Sequence, residues 1–182
     1  MSEGQDAFIG TVIGGKYKII QLLGEGGMGA VYLGEQQLGT STRKVAVKTL
    51  HKHLSMDPQI RARFMREVST VAELEHPNTI QVFDFGTTTD DVLYIVMEFV
   101  LGRSLADILE KDGAMDATRT LHVLNQVCGS LEEAHGRGII HRDLKTENIV
   151  LCGGAAKRNC LPVLDLHHLP FSQKGRTGLG HR

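Results

Sequence analysis

The chain has 182 residues, 41% apolar and 23% charged, which suits one good core or two small lobes and excludes a disordered tail. Its formal charge of -1 comes from 20 basic and 21 acidic residues mixed along the chain, so no global field favours nucleic acid or an anionic membrane, and any phosphate binding must be local. Cys128, Cys152 and Cys160 are odd in number and hold no Cys-x-x-Cys, which argues against a disulfide framework and for a reducing compartment, by default the cytoplasm.

The N-terminus lacks a basic region followed by an apolar run, and no stretch approaches the roughly 20 apolar residues of a membrane span, so no export or membrane segment is expected. Residues 1–16 are Gly-rich and weakly patterned, as in a flexible lead-in. From Tyr17 the pattern reads strand, glycine turn, strand. Gly24, Gly26 and Gly29 form Gly-x-Gly-x-x-Gly, where missing side chains let backbone N–H groups approach a phosphate. A dinucleotide-binding fold shares this spacing, but there a helix follows and an acidic residue comes about 20 positions on. Here β-branched and aromatic residues follow, and Lys48 stands 19 residues after Gly29 in Val45-Ala46-Val47-Lys48. No Gly-Lys-Ser/Thr supports a P-loop.

Asp57-Pro58 starts a helix that runs to about Glu75, with Ile60, Phe64, Val68, Val71 and Leu74 as its inward stripe. Glu67 lies on or beside that stripe, where it pairs either with Arg63 one turn earlier or with a buried partner. Strands are expected at Thr79–Phe85 and Val92–Glu98, giving five strands and one long helix in a small lobe. Ser104 to Lys111 reads as a short helix. Asp116 caps a longer one, with Leu121, Leu124, Cys128 and Leu131 as its buried stripe and Gly136 at its end. Cys128 is expected to be a small core residue.

The segment from Ile139 to Leu151 brackets eight mostly polar residues with the apolar runs Ile139-Ile140 and Ile149-Val150-Leu151, which suggests buried strand, polar loop and strand again. Within it, Asp143 can orient a hydroxyl, Lys145 can sit near a phosphate, and the Asn148 amide oxygen can meet a metal, a set suited to phosphoryl transfer. His141-Arg142-Asp143-Leu144, with Asn148 four residues on, matches His-Arg-Asp-Leu-x-x-x-Asn in full, and with the glycine loop and Val-Ala-Val-Lys the chain resembles the protein kinases. Lys145 resembles the serine/threonine branch, and the whole looks like the bacterial, eukaryotic-like type.

The resemblance implies an α+β, protein-kinase-like fold. Residues 17–98 would form the small lobe, 99–165 an incomplete, mainly helical large lobe, and 166–182 an atypical tail. It further implies Mg2+ and ATP as cofactors, and a protein with a Ser/Thr hydroxyl as substrate. The loop Leu23, Gly24, Glu25, Gly26, Gly27, Met28, Gly29, Ala30 and Val31 would cover the nucleotide, with Leu23, Val31, Ala46 and Val150 around the base. Backbone groups of Met97-Glu98-Phe99-Val100, at Glu98 and Val100, would bind adenine, with Met97 in the gatekeeper position. Lys48 would contact phosphates and be held by Glu67. Asp143 would orient the hydroxyl, Lys145 would steady the γ-phosphate, and Asn148 with Asp165 would bind metal. His141 is expected to pack as a structural pivot.

Asp165, 17 residues after Asn148, stands in Val163-Leu164-Asp165-Leu166-His167, where the family has Asp-Phe-Gly. His167 in place of glycine departs from the pattern, because a side chain resists some backbone angles open to glycine. No match follows His167, so a frameshift or premature stop within the large lobe is expected, with little activity in the chain as it stands. The alternative function is a non-catalytic fragment that binds nucleotide or regulates a kinase. Cys152, Cys160, His167 and His168 form the rival metal site for the tail, at a spacing that fits no zinc pattern.

Overall fold

The structure, a computed structural model, describes residues 7–152. Val12–Ile13 (β1), Tyr17–Gly26 (β2), Gly29–Leu38 (β3), Ser41–Leu50 (β4), Val82–Thr87 (β5) and Leu93–Glu98 (β6) form one antiparallel sheet in the order β1-β2-β3-β4-β6-β5. Turn chemistry fixes the register. Gly39, at φ +59, is the first of two residues joining β3 to β4, and the pairing then runs unbroken from Leu38↔Ser41 to Gly29↔Leu50. β2 is less regular, since its register to β3 shifts at Ile20 and again at Leu23. The expected five strands are present. The added one is β1, from the expected lead-in, which pairs Val12 with Lys18 and Ile13 with Tyr17.

Alternation along the strands gives the sheet two buried faces. On one, Val45 and Val47 pack with Ile13, Tyr17, Ile19, Ala30, Tyr32, Tyr94 and Val96. The Tyr17 hydroxyl donates to Asp84 Oδ2 at 2.9 Å, and burial together with this bond pushes its pKa up to about 12. On the other face, Ala46, Leu50, Leu93, Ile95 and Met97 meet Phe64 and Val68 of the helix Pro58–Val71 (α2). Between β4 and α2 a single turn, Lys52–Ser55 (α1), starts at His51. Asp57 caps α2 as expected, accepting from the N–H groups of Gln59 and Ile60. The helix stops at Val71, short of Glu75, although Leu74 is still buried.

The rest comprises Arg103–Ser104 (β7), Leu105–Asp112 (α3), Ala117–Gly136 (α4), a 3-10 turn at Thr146–Asn148, and Val150–Leu151 (β8), which pairs with β7. Ser104 and Asp116 cap α3 and α4 through the N–H groups of Asp107 and Arg119. The buried face of α4 is Val123, Val127, Ser130 and Ala134, packed with Val71, Leu74, Ile108 and Ile149. The expected stripe is therefore corrected. Leu121, Leu124 and Cys128 are exposed, and only Leu131 packs against this core. The helix carries two apolar stripes, and the one that turns inward is the one whose Ser130 reaches Thr79, hydroxyl to hydroxyl at 2.6 Å.

Other bonds tie the same surfaces. Glu133 accepts from the N–H groups of Glu75 and His76, both at 2.9 Å, and Asn78 Nδ2 donates to Gln126 Oε1 at 2.8 Å. Burial alone would raise the Glu133 pKa, but the two N–H donors and Arg137 outweigh it and hold the carboxyl below the usual glutamate range. The strand expected at Ile139–Ile140 does not form. Ile139 N–H instead bonds back to Ala134 O at 2.9 Å, closing the end of α4, and Ile140 is exposed. No helix among the described residues is long and apolar enough to cross a membrane.

Candidate active site

The loop after α4 is held from its first residue. His141 is buried, and its carbonyl oxygen and Nδ1 both face the Asp143 N–H, at 2.9 and 3.3 Å. Between them Arg142 adopts φ +64, a left-handed conformation that costs a non-glycine residue energy and recurs at functional sites. This reversal turns Asp143 back into a knot of its own neighbours. Lys145 Nζ lies 2.8 Å from Asp143 Oδ2, and Asn148 Nδ2 donates to Asp143 O at 3.0 Å and Oδ2 at 3.3 Å. With its amide nitrogen turned toward Asp143, Asn148 has its amide oxygen turned away from it. A carboxylate, an ammonium and an amide oxygen are thus fixed within six residues that end in the 3-10 turn, the set needed to orient a hydroxyl beside a phosphate and a cation.

The glycine hairpin closes with Gly26 opposite Gly29, leaving Gly27 and Met28 as its tip. Gly29 is required by close approach, because a Cβ there would run into the Thr49 carbonyl oxygen of β4. Gly24 and Gly27 face open space, so a ligand could meet their backbone directly. Glu25 pairs with Ala30 across the hairpin, and Met28 O accepts the His51 N–H.

Lys48 is 7% exposed, opposite Val31 on β3 and Ile95 on β6. Ala46 is buried opposite Met97, Val31 packs half-buried against the same cluster, and Leu23 is 45% exposed at the second irregularity of β2. At the end of β6, Glu98 N–H bonds to Gln81 O at 2.9 Å, and Phe99 and Val100 beyond it are half-buried. Val150 lies half-buried on β8.

The structure therefore gathers Asp143, Lys145 and Asn148 by direct contact, and Val31, Ala46, Lys48 and Met97 by register. It does not join Glu67, half-buried on α2, to Lys48 or to Arg63 by an ion pair. Asp165, Cys160, His167 and His168 lie outside the described residues. Among the described residues no three His, Cys, Asp or Glu side chains converge to hold a metal. Two features went unnoticed in the sequence, the left-handed Arg142 and the Glu133 clamp. A basic residue before a motif aspartate and a glutamate near a helix end carry no local signal of either.

Residues 17–165 match the sequence family described as "Protein kinase domain". The chain is 39% identical over 160 residues to serine/threonine-protein kinase pkn3 of Myxococcus xanthus, covering 88% of this chain and 29% of the relative. It is 40% identical over 170 residues to PksC of Streptomyces coelicolor, also a serine/threonine-protein kinase, covering 89% and 30%. The crystal structure of the Mycobacterium tuberculosis PknI kinase domain superposes with a TM-score of 0.71 at 30% identity, over 87% of this chain and 62% of that one. The chain thus spans under a third of the curated relatives' length.

Proposed function

This chain belongs to the protein kinase family, and from that membership we propose that it is a serine/threonine kinase catalytic region that transfers the γ-phosphate of ATP to a protein hydroxyl. The observation that carries this reading is the contact set of Asp143, Lys145 and Asn148, which joins a carboxylate, a cation and an amide at one point. The residues present fit Mg-ATP. A buried lysine stands on the strand beside a hairpin whose Gly24 and Gly27 leave room for a ligand, and the metal would take an amide oxygen from Asn148 together with Asp165. Bound Mg-ATP supplies the phosphoryl group and neutralises its charge.

The chain's own groups do the positioning. Leu23, Val31, Ala46 and Val150 flank the base, and backbone groups at Glu98 and Val100 fix its edge. N–H groups from Gly24 to Ala30, with Lys48, would hold the phosphates, and Glu67 on α2 is the carboxylate that would pair with Lys48 once nucleotide is bound. Asp143 accepts the hydrogen bond of the acceptor hydroxyl and aims its oxygen, while Lys145 steadies the γ-phosphate. The cytoplasm is the proposed compartment and a Ser/Thr-bearing protein the proposed partner.

Expressed as these 182 residues alone, the chain covers only part of the PknI kinase domain's length, so the surface that would align an acceptor is reduced. Lost alignment can remove up to about 7–11 kcal/mol of proximity advantage, which favours nucleotide binding over turnover. The alternative is accordingly a non-catalytic fragment that binds nucleotide or regulates a kinase.

Two measurements test the reading. Mg-ATP should raise the melting temperature of the chain, NAD should not, and Lys48→Ala should erase most of the ATP effect. In a radiolabelled ATP assay, the 182 residues should incorporate little phosphate beside a chain extended through a complete large lobe, and Asp143→Asn should abolish incorporation in the extended chain. Equal stabilisation by ATP and NAD sinks the kinase reading, and robust labelling by the short chain sinks the regulatory one.

A further inference from the structure

The Gly26–Gly27 peptide joins two residues without a Cβ, so side-chain sterics do little to choose its orientation. In the structure that choice is made by His51, the residue that follows β4 and caps α1. The His51 ring nitrogen Nε2 lies 2.9 Å from Gly26 O, and since a carbonyl only accepts, Nε2 carries the proton. His51 is itself well anchored. Its N–H donates to Met28 O at 2.9 Å, and its carbonyl accepts from the N–H groups of Leu54 and Ser55, each at 3.0 Å, and from Ser55 Oγ at 3.2 Å. Ser55 is fully buried, and its Oγ takes the Leu93 N–H of β6 at 3.0 Å. The His53 ring stacks on His51, with centroids 5.8 Å apart. The hairpin tip is therefore tied to β6 through His51, whose ring and backbone N–H hold the tip and whose carbonyl meets Ser55.

The side from which His51 reaches matters. Along β4, Ala46 and Leu50 pack on the α2 face, which places Lys48 there by alternation, while Val45 and Val47 pack on the other. Thr49 follows Val45 and Val47, and His51, one residue past the end of β4, keeps an extended backbone at φ -56 and ψ 143. A cavity of about 390 Å3 is lined by Thr49 and His51 together with Phe8, Ala30 and Tyr32 of that second face, with Leu50 also at its wall. Gly26 O is thus drawn toward the face opposite Lys48. The peptide is trans, so its N–H, that of Gly27, points the other way.

We propose that His51 is a positioning residue for the nucleotide phosphates, holding the Gly26–Gly27 peptide so that the Gly27 N–H is presented on the Lys48 side. The proposal rests on the ATP reading above. Its test compares His51→Ala, which loses the donor, with His51→Gln, whose side-chain amide can still reach a carbonyl. In the nucleotide-free chain, the Gly26 carbonyl 13C shift should change in the Ala variant and stay near the native value in the Gln variant. By calorimetry, ATP affinity should fall about three- to tenfold in the Ala variant, as for one net hydrogen bond, with adenosine affinity unchanged and the Gln variant close to native. A parallel loss for ATP and adenosine would mean a merely structural role and overturn the proposal, as would an unmoved Gly26 carbonyl. If the native chain bound neither ligand, the kinase reading would fall and the phosphate role of His51 with it. The carbonyl shift alone would then report whether the peptide clasp itself exists.

Discussion

The sheet closes a core on each of its faces, whereas α4 is covered along one stripe and leaves Leu121 and Leu124 67% and 50% exposed. Both regions are rich in apolar residues, so composition does not separate them. Supply of partners does. The sheet has α2 against one face, and β1 with Phe8 helps to cover the other, while among the described residues α4 meets α3, the end of α2 and the Ile149–Leu151 segment on a single side. Stability should accordingly be concentrated in the sheet and its helix, and α4 should depend on the bonds that moor it there.

The largest effect is expected at Phe64, which has no exposed surface and sits between α2 and the sheet. Phe64→Ala should cost about 3–5 kcal/mol in urea denaturation, and a loss below about 1 kcal/mol would break the contrast between the regions. Next comes Glu133, the carboxylate that joins them. Its side chain is 21% exposed, and Glu133→Gln should cost about 1–3 kcal/mol through its two N–H donors. Because the folded carboxyl titrates below its ordinary value of 4.5, the stabilisation is fully present above that pH. It is lost as pH falls through the lowered folded value. Acid titration of stability should therefore be shallower in the Gln variant, and an identical profile would mean the clamp carries nothing. The smallest effect is expected on the exposed stripe. Leu124→Gln should change stability by less than about 0.5 kcal/mol, and a larger loss by the same denaturation would show that α4 is covered on both sides.

The site was more legible than the packing, because its information is local. Asp143, Lys145 and Asn148 lie within six positions, and the contacts among them need only one turn of chain. The caps at Asp57 and Asp116 were legible for the same reason. What the sequence left open depends on distant partners. Which stripe of α4 turns inward is decided by Thr79, 51 residues before Ser130, and period alone could not weigh one stripe against the other. The Ile139–Ile140 pair looked like strand, but the backward bond to Ala134 uses it to end a helix. The pairing of Glu67 with Lys48 depends on where α2 sits against the sheet, which neither spacing nor charge encodes.

The two register shifts in β2 carry a consequence beyond the hairpin. Among the described residues, β1 and the residues just before it cover β2 only as far as Ile19, so the stretch from Ile20 to Gly26 forms a rim of the sheet. A foreign strand can dock there only on a flat, evenly spaced row of N–H and C=O groups. The extra residues Ile20 and Leu23 break that spacing twice within four positions, and each adds local twist. The rim is apolar enough to invite fibre growth, yet its geometry resists the intermolecular β-pairing that would start it.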